Sequence, residues 1–262
     1  MTTPLHVERD GPVLRLLLAD EKSRNSLSED MMSALRIALD VADEDTSISV
    51  IVIGAQGHVF SSGHNLKQLT ARRADPDKGH GYFEKTFKQC AALMMMIAHH
   101  RCAVIAEVDG LASAAGCQLV ATCDLAYASP RASFCTPGVN IGLFCSTPMV
   151  PLSRNVASKH AMEMLLTGDI VDAAHAARIG LVNAVVAQNE LSRHVAEVAH
   201  RIATKSQTAI RMGKRAFYDQ AHLSLEEAYE KTAAVMTRNM LDGAACEGLD
   251  AFISKRAPQW PS

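Results

Sequence analysis

Two stretches of the sequence have residue types and spacing that suit chemistry, and the first begins with an apolar run at residues 104–106. This run predicts a strand, and Asp109-Gly110 ends it, because glycine adopts backbone angles that other residues avoid. Residues 112–116 are all small, and residues 117–121 have helical character. The N–H groups at a helix start carry partial positive charge, and small side chains let a ligand oxygen reach them. The stretch therefore predicts an anion or oxyanion site built from backbone amides, with a tightly packed buried helix as the alternative.

The second stretch, residues 59–69, repeats the order of strand, glycine and helix. Two serines and Gly63 follow a short predicted strand, and a helical pattern begins just after them. Gly63 suits a turn that presents the amide of the next residue, His64, to a ligand. An ordinary loop between a strand and a helix is the alternative, and it is the more common case for such a stretch taken alone.

The composition of the 262 residues is that of an ordinary globular protein, with 48% apolar residues, 21% charged residues and a net charge of -2. The charge pattern has no long basic or acidic run, which argues against a nucleic-acid partner or an anionic membrane surface. The apolar runs are too short for a membrane span. The seven cysteines lack CxxC spacing, so we expect reduced, mostly buried thiols in a cytosol-like compartment.

Strand patterns alternate with helix patterns as far as about residue 186, and only helix patterns follow. This order predicts an α/β protein with an α/β core at residues 1–190 and a helical C-terminal region at residues 191–262. Residues 70–84 are charged and contain glycine, so we expect a mobile surface segment there, with a lid as one role.

Loops and spaced glycines, among them Gly110, Gly138, Gly142 and Gly168, form one wider pattern that covers six stretches: residues 22–27, 60–66, 106–124, 134–142, 167–169 and 180–182. Together they resemble the enoyl-CoA hydratase/isomerase (crotonase) superfamily over nearly the whole chain. The resemblance implies a ClpP-like spiral of β-β-α units, with a helical C-terminal region that forms homotrimers or dimers of trimers. It also implies an acyl-CoA thioester as the ligand, with no further cofactor and no metal. Because no transit segment precedes the first predicted strand, we expect a cytoplasmic bacterial member.

In that family two backbone amides hold the thioester oxygen, and the resemblance implies that His64 and Ala115 donate them here. Both residues lie at the predicted helix starts described above. Two fixed N–H donors stabilise the negative charge that builds on this oxygen when an enolate forms, and one such donor is worth about 3–4 kcal/mol. The resemblance further implies ligand contacts at Lys22, Arg24, Ser26, Asn65, Leu66, Lys67 and Gly116. For Lys22 and Arg24 the alternative is solvated surface charge.

Two positions depart from the hydratases of the family, which use a pair of glutamates. Gln118 stands where one glutamate follows a Gly-Cys pair, and Gly138 stands where the other follows a proline. Hydration needs a base for water and an acid for the α-carbon, and a placed acid or base is worth about 10²–10⁴ in rate. Glutamine does not titrate, and glycine has no side chain. We therefore expect a retained acyl-CoA site without ordinary hydratase or isomerase turnover.

Three other side chains are candidates for the chemistry. Ser146 stands where a related dehalogenase carries its nucleophilic carboxylate, and Cys145 precedes it, so either could attack a carbon centre or the thioester. His64 is a candidate base if its side chain turns inward, whereas Asn65 replaces an aspartate that is common in the family. The alternatives are structural, with Cys145 as a small buried side chain and Ser146 as the cap of the next helix.

Three interpretations follow from the sequence. The first is an enzyme that uses its oxyanion hole on a fatty acyl-CoA thioester with reduced or altered chemistry. The second is a non-catalytic acyl-CoA-binding or regulatory protein, and the third is an unrelated α/β protein. Binding of CoA esters would exclude the third, and a change in the mass of the bound thioester would separate the first two.

Overall fold

The chain folds around two β-sheets in the computed structural model, which describes residues 3–261. The strands are β1 (Leu5–Asp10), β2 (Val13–Leu18), β3 (Val50–Ala55), β4 (Val59–Ser61), β5 (Ala103–Val108), β6 (Leu111–Ser113), β7 (Leu125–Ala128), β8 (Ser133–Cys135), β9 (Val171–Asp172) and β10 (Ala184–Val185). The helices are α1 (Glu29–Glu44), α2 (Leu66–Ala71), α3 (His80–His99), α4 (Ala115–Thr122), α5 (Met149–Asn155), α6 (Ser158–Thr167), α7 (Ala173–Arg178), α8 (Leu191–Ala203), α9 (Gln207–Gln220), α10 (Leu225–Met240) and α11 (Gly243–Ile253). Short 3₁₀ helices cover Glu21–Ser23, Arg72–Ala74, Pro137–Ile141 and Gln188–Glu190. The predicted change from alternating strands and helices to helices alone is confirmed.

The larger sheet has the strand order β1-β2-β3-β5-β7-β10, in which β1 and β2 are antiparallel and the other neighbours are parallel. Its centre is buried on both faces, because residues 50–53 of β3 are 0% exposed. Ile51 and Ile53 join the core that also contains side chains of α1, α3 and α4, whereas Val50 and Val52 pack with α8. A continuous β-branched run therefore suits this strand, since both of its faces are covered.

The smaller sheet has the order β4-β6-β8-β9 and receives the chain directly from the larger one. β3 leads to β4, β5 to β6 and β7 to β8, and helices α2 and α4 follow β4 and β6. The chain thus winds in successive β-β-α units. Because β4 and β6 are parallel neighbours, the loops that follow them lie side by side. This topology brings the two glycine-containing stretches of the sequence to the same edge of the smaller sheet.

Residues 70–84 are mostly helical, and the expectation that they form a mobile surface segment or a lid stays a prediction. α2 ends at Ala71, a 3₁₀ turn follows, and α3 begins at His80. The carboxylate of Asp77 accepts the N–H groups of Gly79 and Gly81, both at 2.9 Å. This side chain therefore satisfies amides at the start of α3 that have no partner within the helix, which favours an early helix start.

The C-terminal helices differ in how they join the core. α8 packs on the larger sheet, which places it with the α/β core, while the predicted division at residue 190 stays a prediction. α9 is anchored by Lys214, whose Nζ lies 2.7 Å from Asp124 Oδ2 and donates to the Cys102 carbonyl at 2.9 Å. The Tyr218 hydroxyl donates to Asp124 Oδ1 at 2.9 Å. One partly buried carboxylate, that of Asp124, therefore connects α9 to the start of β7.

Candidate functional site

The loops after β4 and β6 touch through their backbones at two glycines. A Cβ atom placed on Gly116 would clash with the carbonyl of Ser61 and lie 2.8 Å from its Cβ. A Cβ atom placed on Gly63 would lie 3.2 Å from the amide nitrogen of Ala115. Neither position accepts a side chain without displacing the opposite loop. Glycine at both positions therefore lets the first turn of α4 lie against the loop that ends in His64.

Two residues in these loops have positive φ angles, Gly63 at 86° and Ala114 at 49°. Residues other than glycine rarely adopt such a conformation, and it costs about 1–3 kcal/mol. The Ala114 N–H donates to the Cys135 carbonyl at 2.9 Å, and the Gly63 carbonyl accepts from the Leu27 N–H at 2.8 Å. Neighbouring segments therefore hold both turns in place. The turn at Ala114 allows α4 to begin directly after β6.

The N–H groups of His64 and Ala115 have no acceptor among the hydrogen bonds of residues 3–261. Ala115 is the first residue of α4, so no helical carbonyl precedes it by one turn. All eight residues of α4 are buried, and its first turn has no acidic side chain. The positive end of the helix dipole therefore has no acidic side chain of its own first turn to neutralise it. The assignment of these two amides as an oxyanion hole stays a prediction, and the contact between the loops supports it.

Gln118 lies on α4, one turn after Ala115, and is only 3% exposed. Its Oε1 accepts a weak hydrogen bond from the Sγ of Cys90 on α3, at 3.9 Å. Burial raises the pKa of Cys90 to about 12, so this thiol stays protonated and can donate. The position therefore presents an amide side chain that neither takes up nor releases a proton.

Gly138 lies in the 3₁₀ turn Pro137–Ile141 and is buried. A Cβ atom placed on it would lie 2.9 Å from the carbonyl oxygen of Leu143 and 3.0 Å from the Sγ of Cys145. The segment at residues 143–145 thus occupies the space that a side chain at position 138 would enter. A glutamate at this position, which the resemblance leads one to expect in a hydratase, has no room in this protein.

Cys145 is 8% exposed, and burial raises its pKa although a backbone hydrogen bond at Gly138 acts in the opposite direction. A thiol with a raised pKa is a poor nucleophile near neutral pH. Ser146 is exposed, and its hydroxyl donates to the Phe144 carbonyl at 3.3 Å. The prediction that Ser146 caps the next helix is wrong. The Met149 N–H bonds to the Cys145 carbonyl at 2.9 Å, and no side chain caps the start of α5.

The side chain of His64 turns into the protein. Its Nδ1 lies 3.4 Å from the carbonyl oxygen of Leu27, and its ring meets Phe87 of α3 edge-on, with centroids 5.4 Å apart. Its Nε2 is buried and has no hydrogen-bond partner among the residues that the structure describes. Burial lowers the pKa of His64 below its ordinary value, and the Leu27 carbonyl only partly opposes this. The imidazole is therefore neutral near neutral pH.

The predicted ligand contacts at residues 22–27 run beside the first glycine loop, because the Ser62 N–H donates to the Arg24 carbonyl at 3.0 Å. The side chains of Lys22 and Arg24 are exposed here and have no charged partner within residues 3–261. Ser26 is buried, and its Oγ has no partner among the described residues. The segment therefore presents positive charge at the surface, close to the proposed oxyanion amides.

The remaining predicted contacts follow His64 or lie on α4. Asn65 caps α2, since its Oδ1 accepts the N–H groups of Lys67 at 3.1 Å and Gln68 at 3.2 Å. This cap gives Asn65 a structural role in addition to the predicted one. Leu66 and the Lys67 side chain are exposed beside it. Gly116 acts through its missing side chain, because it permits the contact between the two loops.

Helix α3 contributes two residues that the sequence analysis does not single out. Phe87 meets His64, and Cys90 meets Gln118. Phe87 and Cys90 are three residues apart, so they lie on one face of the helix. No local sequence signal marks them, because each contacts a residue far away in the chain.

The acidic residues just before the small-residue stretch, Glu107 and Asp109, form hydrogen bonds with other side chains. Glu107 accepts hydrogen bonds from Arg15 at 2.8 Å and from Ser192 at 2.6 Å. Asp109 accepts two hydrogen bonds from Arg131, at 2.7 and 2.6 Å. Between residues 3 and 261, no three His, Cys, Asp or Glu side chains are arranged to hold a metal ion. Over the same range, no helix has the length and apolar character that crossing a membrane requires.

Comparison with known proteins identifies relatives along nearly the whole chain. A family model described as enoyl-CoA hydratase/isomerase matches residues 8–262. The rat (Rattus norvegicus) mitochondrial enoyl-CoA hydratase domain-containing protein 3 is 43% identical over 97% of this chain and 82% of its own length. The crystal structure of human enoyl-CoA hydratase domain-containing protein 3 superposes with a TM-score of 0.93 and 41% identity, covering 98% of this chain and 100% of that chain. An enoyl-CoA hydratase structure from Mycobacterium smegmatis gives a TM-score of 0.93 and 44% identity over 98% of both chains. These similarities confirm the predicted fold class.

The same comparisons contradict the predicted location. The rat relative and a Xenopus laevis relative, which is 44% identical over 98% of this chain and 86% of its own length, are both named mitochondrial proteins. The expectation of a cytoplasmic bacterial protein is therefore wrong. It had depended on the N-terminal sequence alone, which these names overrule.

Proposed function

The chain belongs to the enoyl-CoA hydratase/isomerase family, and we propose that it binds a fatty acyl-CoA thioester with the carbonyl oxygen between the N–H groups of His64 and Ala115. The observation that carries this proposal is the contact of the two glycine loops, which brings together two amides without an acceptor. Fixed donors of this kind stabilise the charge that develops on the thioester oxygen in an enolate.

The chemistry at this thioester is reduced or altered relative to hydration. Gln118 supplies no titrating group, and the space beside Gly138 is filled by residues 143–145. A hydratase needs two proton-transferring groups, each worth about 10²–10⁴ in rate, and neither carboxylate of the usual pair is present. The protein therefore binds an activated thioester but hydrates it poorly.

The CoA part of the ligand is proposed to lie along residues 22–27 and the start of α2. Lys22, Arg24 and Lys67 place three exposed positive charges on these segments. Lysine and arginine side chains bind phosphate groups well, and CoA carries several. The thioester itself is the only small molecule that this proposal requires, with no further cofactor.

A second candidate function is a non-catalytic acyl-CoA-binding or regulatory protein. It is favoured by the state of the thiols near the site, because burial raises the pKa values of Cys117, Cys135 and Cys145. Protonated thiols are weak nucleophiles, so covalent chemistry on the thioester lacks an attacking group. This function shares the ligand with the first proposal and differs only in whether the ligand changes.

We propose that the protein assembles as a homotrimer or a dimer of trimers through its C-terminal helices. Large apolar side chains are exposed on α10, at its end and on α11: Leu225 (76%), Tyr229 (70%), Leu241 (80%), Phe252 (82%) and Ile253 (76%). Large exposed apolar side chains on successive helices are typical of protein–protein contacts when they form one patch. In sedimentation velocity, the double variant Leu241→Glu/Phe252→Glu should shift the protein to monomer. An unchanged sedimentation coefficient would count against this interface.

Calorimetry with butyryl-CoA, crotonyl-CoA and free CoA tests the proposed ligand. Both thioesters should bind more tightly than free CoA, because only they carry the carbonyl oxygen that the two amides hold. A protein that binds none of the three would refute the proposed function.

Mass spectrometry of the bound thioester tests whether turnover remains. Crotonyl-CoA should stay largely unhydrated under conditions in which an ordinary hydratase converts it completely. Slow conversion favours the reduced enzyme, and binding without any change in the ligand favours the non-catalytic protein. Fast hydration would contradict both, since the structure offers no pair of carboxylates to perform it.

A further inference from the structure

We propose that the imidazole of His64 is the proton acceptor of this site, so that the protein exchanges the α-protons of a bound acyl-CoA thioester with solvent. The inference rests on the proposed function, because it requires the thioester oxygen to lie between the amides of His64 and Ala115. It adds an activity and a side-chain role that neither the glutamate positions nor the thiols supply.

The first support is the hydrogen-bonding state of the His64 ring. A neutral imidazole has one N–H donor and one nitrogen acceptor. Its Nδ1 faces the Leu27 carbonyl at 3.4 Å, and a carbonyl can only accept, so Nδ1 carries the proton. Nε2 is then an acceptor, and it is buried without a partner among the described residues. Most buried polar atoms are paired, so an unpaired acceptor in this place indicates that a ligand completes it.

The second support is where the ring lies relative to the altered glutamate position. His64 contacts Phe87 and Gln118 contacts Cys90, and both partners lie on one face of α3. The imidazole and the amide of Gln118 therefore contact the same face of α3. Gln118 is the position at which the resemblance implies a hydratase glutamate.

Other charged groups near the ring do not compete for this role. Glu29 is already bonded, since its carboxylate accepts from the Tyr82 hydroxyl at 3.0 Å and lies 3.5 Å from Lys85 Nζ. The charged side chains on the segments packed against His64 are otherwise exposed: Lys22, Arg24, Lys67, Glu84, Lys85 and Lys88. Burial and the Leu27 carbonyl, and no charged side chain, set the pKa of His64, and burial lowers it. The ring therefore stays in its basic, neutral form at neutral pH.

An acyl chain has to reach Nε2, which is buried. Phe87 meets the imidazole edge-on and is 39% exposed, whereas the core side chains of α3 are buried. The proposal therefore includes a movement of Phe87, since it is the exposed side chain in contact with the ring.

The proposed step is a reversible proton transfer. The α-C–H bond breaks, its proton moves to Nε2, and its electron pair forms the enolate double bond, while the carbonyl pair moves onto the thioester oxygen. The amides of His64 and Ala115 hold that oxygen. The imidazolium exchanges its proton with solvent and returns one to the α-carbon. Atoms and charge balance without an oxidant, a reductant or another reactant.

The test is deuterium uptake at the α-carbon of butyryl-CoA, incubated with the full-length protein in D₂O and followed by mass spectrometry. The wild type should take up deuterium, and His64→Gln should lower the rate by about 100-fold, the lower range for a placed base. Binding of butyryl-CoA by His64→Gln should persist, because the backbone amide remains. His6→Gln, at an exposed histidine on β1, is the matched control and should exchange like the wild type.

A pH profile gives a second measurement that does not depend on a variant. The wild-type exchange rate should stay high down to pH values below 6.5, the ordinary histidine value, and fall when His64 gains a proton. Equal exchange by the wild type and His64→Gln would overturn the proposal. Loss in Glu29→Gln with retention in His64→Gln would overturn it in favour of a carboxylate. Binding without any exchange would overturn the proton-acceptor role alone, whereas absence of binding would overturn the proposed function as well.

Discussion

The two halves of the candidate site differ in how completely they match a working hydratase. The backbone half, at Gly63, His64, Ala115 and Gly116, combines a helix start, loops in direct contact and two amides without an acceptor among the described residues. The side-chain half, at Gln118 and residues 138–145, has no carboxylate. The space beside Gly138, where a hydratase glutamate is expected, is filled. Under the proposed function, the backbone half would hold the thioester, whereas the side-chain half would lack the acids that water addition needs.

The difference shows that the two halves are constrained by different physics. The backbone half depends on steric limits, because any Cβ at Gly63 or Gly116 would push the loops apart. The side-chain half depends on residue types that can change while the backbone stays in place. A different residue type at these positions therefore need not disturb the amides, and residues 143–145 occupy the space beside Gly138.

The largest expected effect comes from breaking the backbone half. Gly116→Val should destabilise the protein by about 3 kcal/mol, since its side chain would overlap Ser61 across the loop contact. It should also abolish binding of butyryl-CoA, because the two amides move apart. Urea unfolding measures the first effect and calorimetry the second. Gly213→Val on α9, where a Cβ atom meets nothing within 4 Å, is the matched control and should leave both unchanged.

A folded Gly116→Val protein that still bound the thioester would remove the basis for treating the loop contact as the determinant of the site. A loss of binding in the Gly213→Val control would indicate instead that glycine-to-valine substitutions disturb this fold wherever they are made. Either outcome would erase the distinction between the two halves.

The next effect tests whether the side-chain half can be restored by residue type alone. Gly138→Glu should lower the free energy of unfolding by about 2 kcal/mol, because the Leu143 carbonyl and the Cys145 Sγ occupy its space. It should not produce hydration of crotonyl-CoA. Adding Cys145→Ala removes the sulfur and should recover part of the stability, while the Leu143 carbonyl still obstructs the site. A stable single variant with hydratase activity would show that residues 143–145 move aside easily.

A smaller effect is expected at the other altered position. In Gln118→Glu, burial should raise the pKa of the new carboxyl group above its unfolded value of about 4.3. The folded state then favours the neutral acid, so the variant should match the wild type at low pH. It should lose about 1–2 kcal/mol of stability as the pH rises towards neutral, because each pKa unit is worth about 1.4 kcal/mol. Unfolding measured across this pH range checks the trend, and a pH-independent difference would mean that the carboxyl reaches water.

The smallest effect concerns the pH dependence of stability at His64, which contributes its amide to one half and its side chain to the other. The pKa of His64 is lowered in the folded state, so below its ordinary value of 6.5 the unfolded chain binds more protons than the folded one. The free energy of unfolding should therefore fall with decreasing pH, and His64→Gln should show a shallower fall. His100 has a lowered pKa for the same reason and cancels in this comparison. Identical pH dependence of the two proteins would place the His64 ring in contact with water.

Much of the backbone half could be predicted from the sequence, whereas less of the side-chain half could. A short apolar run, a glycine and a helix-forming segment act over a few residues, so their order predicted both loops and the amide of His64. The assignment of Ala115 came from the family resemblance. The absence of glutamate at positions 118 and 138 could also be read directly. The composition of residues 70–84 did not predict their helices, since the start of α3 at His80 is favoured by one carboxylate, that of Asp77, which satisfies two amides.

The sequence by itself determined the strand and helix order, the two glycine turns and the loss of both carboxylates, because these follow from local backbone preference and residue type. Only the tertiary structure decided that residues 143–145 close the space at Gly138 and that the His64 ring is buried against Phe87 with a free acceptor. These features arise where segments distant in the chain meet. Packing and desolvation at these contacts depend on the tertiary structure, so the spacing of neighbouring residues does not encode them.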